Sequence, residues 1–235
     1  MTVAGLQSLV PWPVFVRCLP FAIFMVVLAV RGAIDGYADT RWLYVIQAGA
    51  AALALGLLWP HYQELRKDPY RRVQHSVLAS GCIFAMATVL GLLIAVMWVW
   101  LDAPWMRLGD SSGAFLPTDE SGQMQLALIA IRLAGACLVV PVMEELFWRS
   151  FLMRWLDERN FLRLAPGLTS LFAWVASSAV FALAHEQWLA GLIAGLLFAA
   201  LYRYTGRLWS AIAAHATANL ALGIYVVHQR AWNFW

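Results

Sequence analysis

Charge is scarce in this chain. Only 12% of its 235 residues are Asp, Glu, Lys or Arg, and 63% are hydrophobic, whereas a soluble domain carries about 25% charged residues. A lone water-soluble domain is therefore excluded. Lysine is almost missing: Lys67 stands alone among 16 basic residues, which against 13 acidic ones leave a net charge of +3. So small and scattered a balance does not make a nucleic-acid surface. Cysteine is also sparse. Cys18, Cys82 and Cys137 each lie singly in apolar runs, with no CxxC pair and no histidine at ligand spacing, so neither a disulfide framework nor a thiolate metal site is expected. The N-terminus has no basic start followed by a small-residue cleavage site, so the first apolar segment is expected to stay as a membrane anchor. No low-complexity stretch, glycosylation sequon or clear internal repeat is present.

What the chain does have is long apolar runs, with many of its 13 tryptophans near their ends as in an interfacial belt. A spanning helix needs roughly 20 mostly apolar residues. Segments 10–30, 42–60, 76–101, 126–156, 171–185, 188–204 and 208–227 qualify. The expected fold is an all-α polytopic transmembrane bundle of about seven or eight spans. The fourth run is long enough to break near Arg149. Residues 1–125 carry no recognised motif and 126–235 hold the chemistry, within one integral membrane domain. Loops 61–75, 149–167 and 203–207 together hold ten Lys and Arg against four in the alternate loops and tail. By the positive-inside rule the N-terminus is cytoplasmic. The acidic 102–124 loop then faces outward. Its Gly109-Asp110-Ser111-Ser112-Gly113 matches the nucleophile-elbow pattern by letter only, since no strand precedes it.

Ten of the 13 carboxylates lie in loops; only Glu144, Glu145 and Glu186 lie within or beside the later spans. A charge near the bilayer centre costs at least ~2.5 kcal/mol, so such residues are functional by default. The same half carries Arg132, Arg149, His185, His215 and Asn219. On a helix, Glu145 and Arg149 are i,i+4 with the acid first, the favourable order for an ion pair. Glu144 is turned about 100° away, free to act as a proton acceptor in a dry site. His215 and Asn219 share a helix face, and the alanines around them let neighbouring helices approach closely. At 1.5 Å per residue, Glu144, His185, His215 and Asn219 reach one layer provided the fourth helix continues to about residue 156.

One carboxylate, two imidazoles and one amide suit hydrolysis of an acyl bond without a covalent intermediate. Glu144, helped by His185, takes a proton from water, and His215 with Asn219 donates to the developing oxyanion. No serine or cysteine nucleophile with a nearby histidine is evident. Zinc held by Glu144, His185 and His215 is the alternative. The sequence His185-Glu186-Gln187-Trp188 begins like a zincin helix, but Leu189 replaces the second histidine. Glu186 is expected in a helix–helix turn. Two readings compete with an enzyme: a non-catalytic membrane scaffold or chaperone, and a proton-coupled transporter, the latter opposed by the lack of a paired broken helix.

The chain resembles the CAAX prenyl protease and bacteriocin-processing (CPBP) family of intramembrane proteases. Its three motifs appear in order as Glu144-Glu145 with Arg149, Phe181 with His185, and His215 with Asn219. The stretches around Glu144, Trp188 and Leu222, with the terminal Trp-Asn-Phe-Trp, resemble a bacterial branch that accompanies exosortase sorting systems. The resemblance implies a multi-pass protein of the bacterial inner membrane that cleaves a membrane protein or peptide. In it Glu144 and His185 activate water, His215 and Asn219 form the oxyanion hole, and Glu145, Arg149 and Phe181 support the site. No resident cofactor is implied, zinc remaining the alternative. The expected partners are the lipid bilayer, the substrate and an exosortase-type system, and no nucleic acid.

Overall fold

The computed structural model describes residues 10–34, 37, 39–66, 77–109, 115–119 and 121–235. Its helices are α1 (Trp12–Ile34), α2 (Leu43–Leu58), α3 (Gln63–Arg66), α4 (Val77–Trp100), α5 (Leu126–Trp155), α6 (Leu171–Leu183), α7 (Trp188–Thr205) and α8 (Leu208–Gln229). Among the described residues no extended structure exceeds an isolated bridge between Thr118 and Met124. Six of these helices are long and apolar enough to cross a bilayer. The protein is an all-α polytopic membrane bundle. Leu53, Leu57, Leu93 and Ile224 stand exposed on it, as lipid-facing residues do.

Helix α6 differs from the expected 171–185 span. It has 13 residues, about 20 Å of rise, and stops at Leu183, two residues short of the expected end. Its start is capped by Ser170, whose Oγ accepts from the Ala173 N–H at 3.0 Å. Asp157 in turn accepts from the Ser170 N–H at 2.6 Å. The fourth run does not break at Arg149; α5 is helical from Leu126 to Trp155. The loop holding Asp110, Ser111, Ser112 and Gly113 lies outside the described residues, as does Lys67.

Close packing comes from small residues. A Cβ at Gly91 of α4 would collide with the α8 backbone at Ala214 and Ala218. Gly191 and Gly195 bring α7 against Ala182, Ser178 and Phe181 of α6, the small-residue mode by which membrane helices associate. At the other end of α5, buried Glu64 of α3 accepts from Arg17 Nε and Nη2 at 2.8 and 2.6 Å. Ser150 Oγ donates to the same carboxylate, and Arg154 Nη2 donates to Ser150 Oγ at 2.7 Å. These bonds tie α1, α3 and α5 into one polar knot.

Candidate active site

Both glutamates lie on a short α-helical stretch of α5, Val140–Glu145, between two π-helical segments, Gly135–Val139 and Leu146–Leu152. Pro141 accounts for the first. Its ring clashes with the carbonyl four residues back and it has no N–H, so the preceding turn widens and Val140 N–H reaches Gly135 O instead. The Ala136 carbonyl then has no helical donor: Val140 is taken and Pro141 has nothing to give. Asn219 of α8 fills the gap, donating from Nδ2 at 2.7 Å. Gly135 is required here, since a Cβ would enter the Tyr44 ring.

Glu145 is fully buried between two partners. Arg149 Nε lies 3.2 Å from its Oε2, and His215 Nδ1 lies 2.8 Å from its Oε1. The Arg149 guanidinium sits 4.3 Å above the Phe181 ring and 5.4 Å from that of Phe198, and Nη2 donates to Gly195 O at 3.3 Å. His215 stacks on Phe198 at 4.9 Å. Aromatic faces thus offset part of the desolvation of the buried cation.

Glu144 points elsewhere. It is 8% exposed and lines a cavity of about 260 Å³ together with His185, His215, Asn219, Trp98 and Phe181. Its Oε2 is buried without a hydrogen-bond partner from the protein. His185 lies just past the end of α6. Its Nδ1–H donates to the Phe181 carbonyl at 2.8 Å, which also accepts from the Ala184 N–H at 3.2 Å. The ring packs 4.4 Å from Phe181 and 5.5 Å from Trp98. For both histidines Nδ1 is engaged by an acceptor, so Nε2 is the nitrogen left for the cavity.

Residues 126–221 match the family model of type II CAAX prenyl endopeptidase Rce1-like proteins. Over this segment, somewhat under half of the chain, the protein is similar to that family of CAAX prenyl endopeptidases. No curated protein and no solved structure matches the chain. The Rce1-like segment contains all seven residues singled out in the sequence, and the structure brings Glu144, Phe181, His185, His215 and Asn219 onto one cavity, with Glu145 and Arg149 behind it. Glu186 is exposed in the turn after α6, where its carbonyl accepts from Leu108 N–H at 2.7 Å.

Three walls were not legible beforehand: Tyr44 and Gln47 of α2, Trp98 of α4 and Phe198 of α7 also line the cavity. Aromatic and apolar residues are too frequent in a membrane chain for these to stand out. Zinc suits the residue types. Among the described residues no group of three or more His, Cys, Asp or Glu is clustered as a metal site.

Proposed function

We propose that the protein is an intramembrane endopeptidase that hydrolyses a peptide bond of a membrane-proximal substrate with water activated by Glu144. The observation that carries this reading is the unpartnered Glu144 Oε2, buried on the wall of a cavity that it shares with two imidazoles and an amide. An unpaired buried carboxylate oxygen is costly, and a water bridging Glu144 and His185 Nε2 relieves that cost while being aligned for attack. Glu144 takes one proton from this water as its oxygen bonds to the substrate carbonyl carbon. The resulting oxyanion accepts from His215 Nε2–H, in the protonated ring stabilised by Glu145, and from the second Asn219 Nδ2–H. Collapse breaks the C–N bond, and the leaving amine receives the proton from Glu144, which is thereby restored. Glu145 and Arg149 orient His215 and do not touch the reacting atoms. An N-terminus on the cytoplasmic side and a bacterial inner-membrane setting alongside an exosortase-type system belong to the same reading.

Purified protein in nanodiscs, incubated with labelled hydrophobic peptides, tests it. Cleavage by the wild type that disappears in Glu144→Gln, with retained thermal stability, supports the reading. Cleavage unchanged in Glu144→Gln overturns it. Full cellular function in that variant would favour a scaffold instead.

A further inference from the structure

The cavity extends beyond the four polar residues of the site along one wall of α5. Arg132, Ala136, Val140 and Glu144 all line it, with Ala218, Asn219 and Leu222 of α8 opposite. In an ideal α-helix a separation of 12 residues overshoots three full turns by about 120°. The π segment Gly135–Val139 lies between the two ends. Its wider turns take up that excess and set the guanidinium and the carboxylate on the same wall. The middle of the wall is small and apolar, so the cavity is a slot with an acid at one end and a cation at the other.

Arg132 faces the cavity beside Tyr44 and, among the described residues, has no acid of its own. Its guanidinium lies 4.6 Å from the Tyr44 ring and 5.6 Å from the Phe115 ring, which hold it from two sides. Its Nε is buried with no hydrogen-bond partner, and among the described residues no carboxylate pairs with it. Arg17, Arg41, Arg107 and Arg149, by contrast, each pair with an acid. A cation within an apolar slot calls for an anion, and a planar guanidinium favours a carboxylate.

Resting on the endopeptidase reading, we infer that Arg132 is a specificity residue that binds an acidic side chain of the substrate peptide, about five residues from the bond cleaved. The spacing follows from the wall itself. Twelve residues of helix rise about 18 Å, and an extended peptide covers that length in about five residues at 3.3–3.6 Å each. Ala136, Val140 and Ala218 leave room between the ends for small apolar side chains.

The test uses the full-length protein in phosphatidylcholine nanodiscs and C-terminally amidated apolar peptides bearing a single Asp, or Asn at the same position. With Glu144→Gln, which holds peptide without turnover, the Asp peptide should bind about tenfold or more tightly than its Asn twin. Adding Arg132→Gln should equalise the two, and Arg132→Lys should restore part of the preference, which a merely structural role would not. In the wild type, moving the Asp along the peptide should move the cut with it. Asp and Asn peptides bound equally and cut at the same places overturn the inference and leave the protease reading standing. Asp preference that follows Arg132, without cleavage of any peptide, supports the subsite and removes the protease reading. Repetition with phosphatidylglycerol present closes the alternative source: anionic lipid that displaces the Asp peptide only when Arg132 is intact assigns the subsite to a headgroup and overturns the inference.

Discussion

The side-chain amide of Asn219 donates to the backbone carbonyl of Ala136 at 2.7 Å, and that carbonyl is open because Pro141 follows it by five residues. One residue of α5 thus prepares a socket for another on α8. Asn219→Ala leaves a buried carbonyl unpaired and should cost about 1–3 kcal/mol of stability, while also removing a donor from the cavity. Pro141→Ala supplies an N–H that competes with Asn219, lets α5 rewind toward regular α-helix and turns Glu144 relative to His215. It should lower cleavage without the stability loss seen in Asn219→Ala. Thermal unfolding and peptide cleavage measured on both variants separate the two effects; equal stability of both variants and wild type would remove the socket argument.

Glu144 and Glu145 are neighbours with opposite expected phenotypes. Glu145 holds Arg149 and His215, and replacing it by Ala leaves a buried guanidinium uncompensated, a change worth about 3–5 kcal/mol. Glu144 makes no ion pair among the described residues, and its Oε2 lacks a protein partner. Glu144→Gln should therefore leave stability nearly unchanged, or raise it slightly, while abolishing cleavage. Unfolding midpoints of the two variants in one detergent check this; a Glu144→Gln protein as unstable as Glu145→Ala would show that both carboxylates are structural.

Helical spacing alone was enough to separate these two acids, because a one-residue step rotates a side chain about 100° whatever surrounds it. The meeting of Glu144, His185, His215 and Asn219 was likewise readable from rise per residue, since apolar runs mark where each helix enters the bilayer. Two kinds of feature were not readable. Spacing arithmetic assumes a regular helix, and the π segments of α5 depart from it; Pro141 was visible, but its consequence depends on Asn219, far along the chain. The length of α6 was also hidden. The apolar run gives out over Ala184 and His185 without marking the last helical residue; the helix ends at Leu183, and the His185 ring donates to the Phe181 carbonyl.

A pH dependence follows from Glu64, outside the spanning segments. Burial pushes its carboxyl upward, but the hydrogen bond and charge of Arg17, with the bond from Ser150, outweigh this and hold it below the usual value of 4.5. A depressed folded value means the carboxylate contributes stability that is fully present above the unfolded value and is lost as pH falls through the folded one. The wild type should lose stability as pH drops below about 4.5. Glu64→Gln should be less stable at neutral pH and show a flatter acid limb. Parallel acid limbs for the two proteins would assign acid sensitivity to other groups.

Metal removal bears on the chemistry directly. Nε2 of His185, Nε2 of His215 and the Glu144 carboxylate are the donors zinc would need, yet no group of three or more such residues among those described is arranged to hold an ion. Cleavage by protein treated with a strong chelator should therefore persist at close to its untreated rate, and should still be abolished by Glu144→Gln. Those two outcomes together leave the carboxylate as the base. Should chelation stop cleavage and zinc alone restore it, the cavity must close around a metal in the active protein, and Glu144, His185 and His215 become its ligands. Metal content measured on wild type and His185→Ala then decides between a bound ion and an unrelated effect of the chelator, because only a ligand substitution lowers the zinc held per chain.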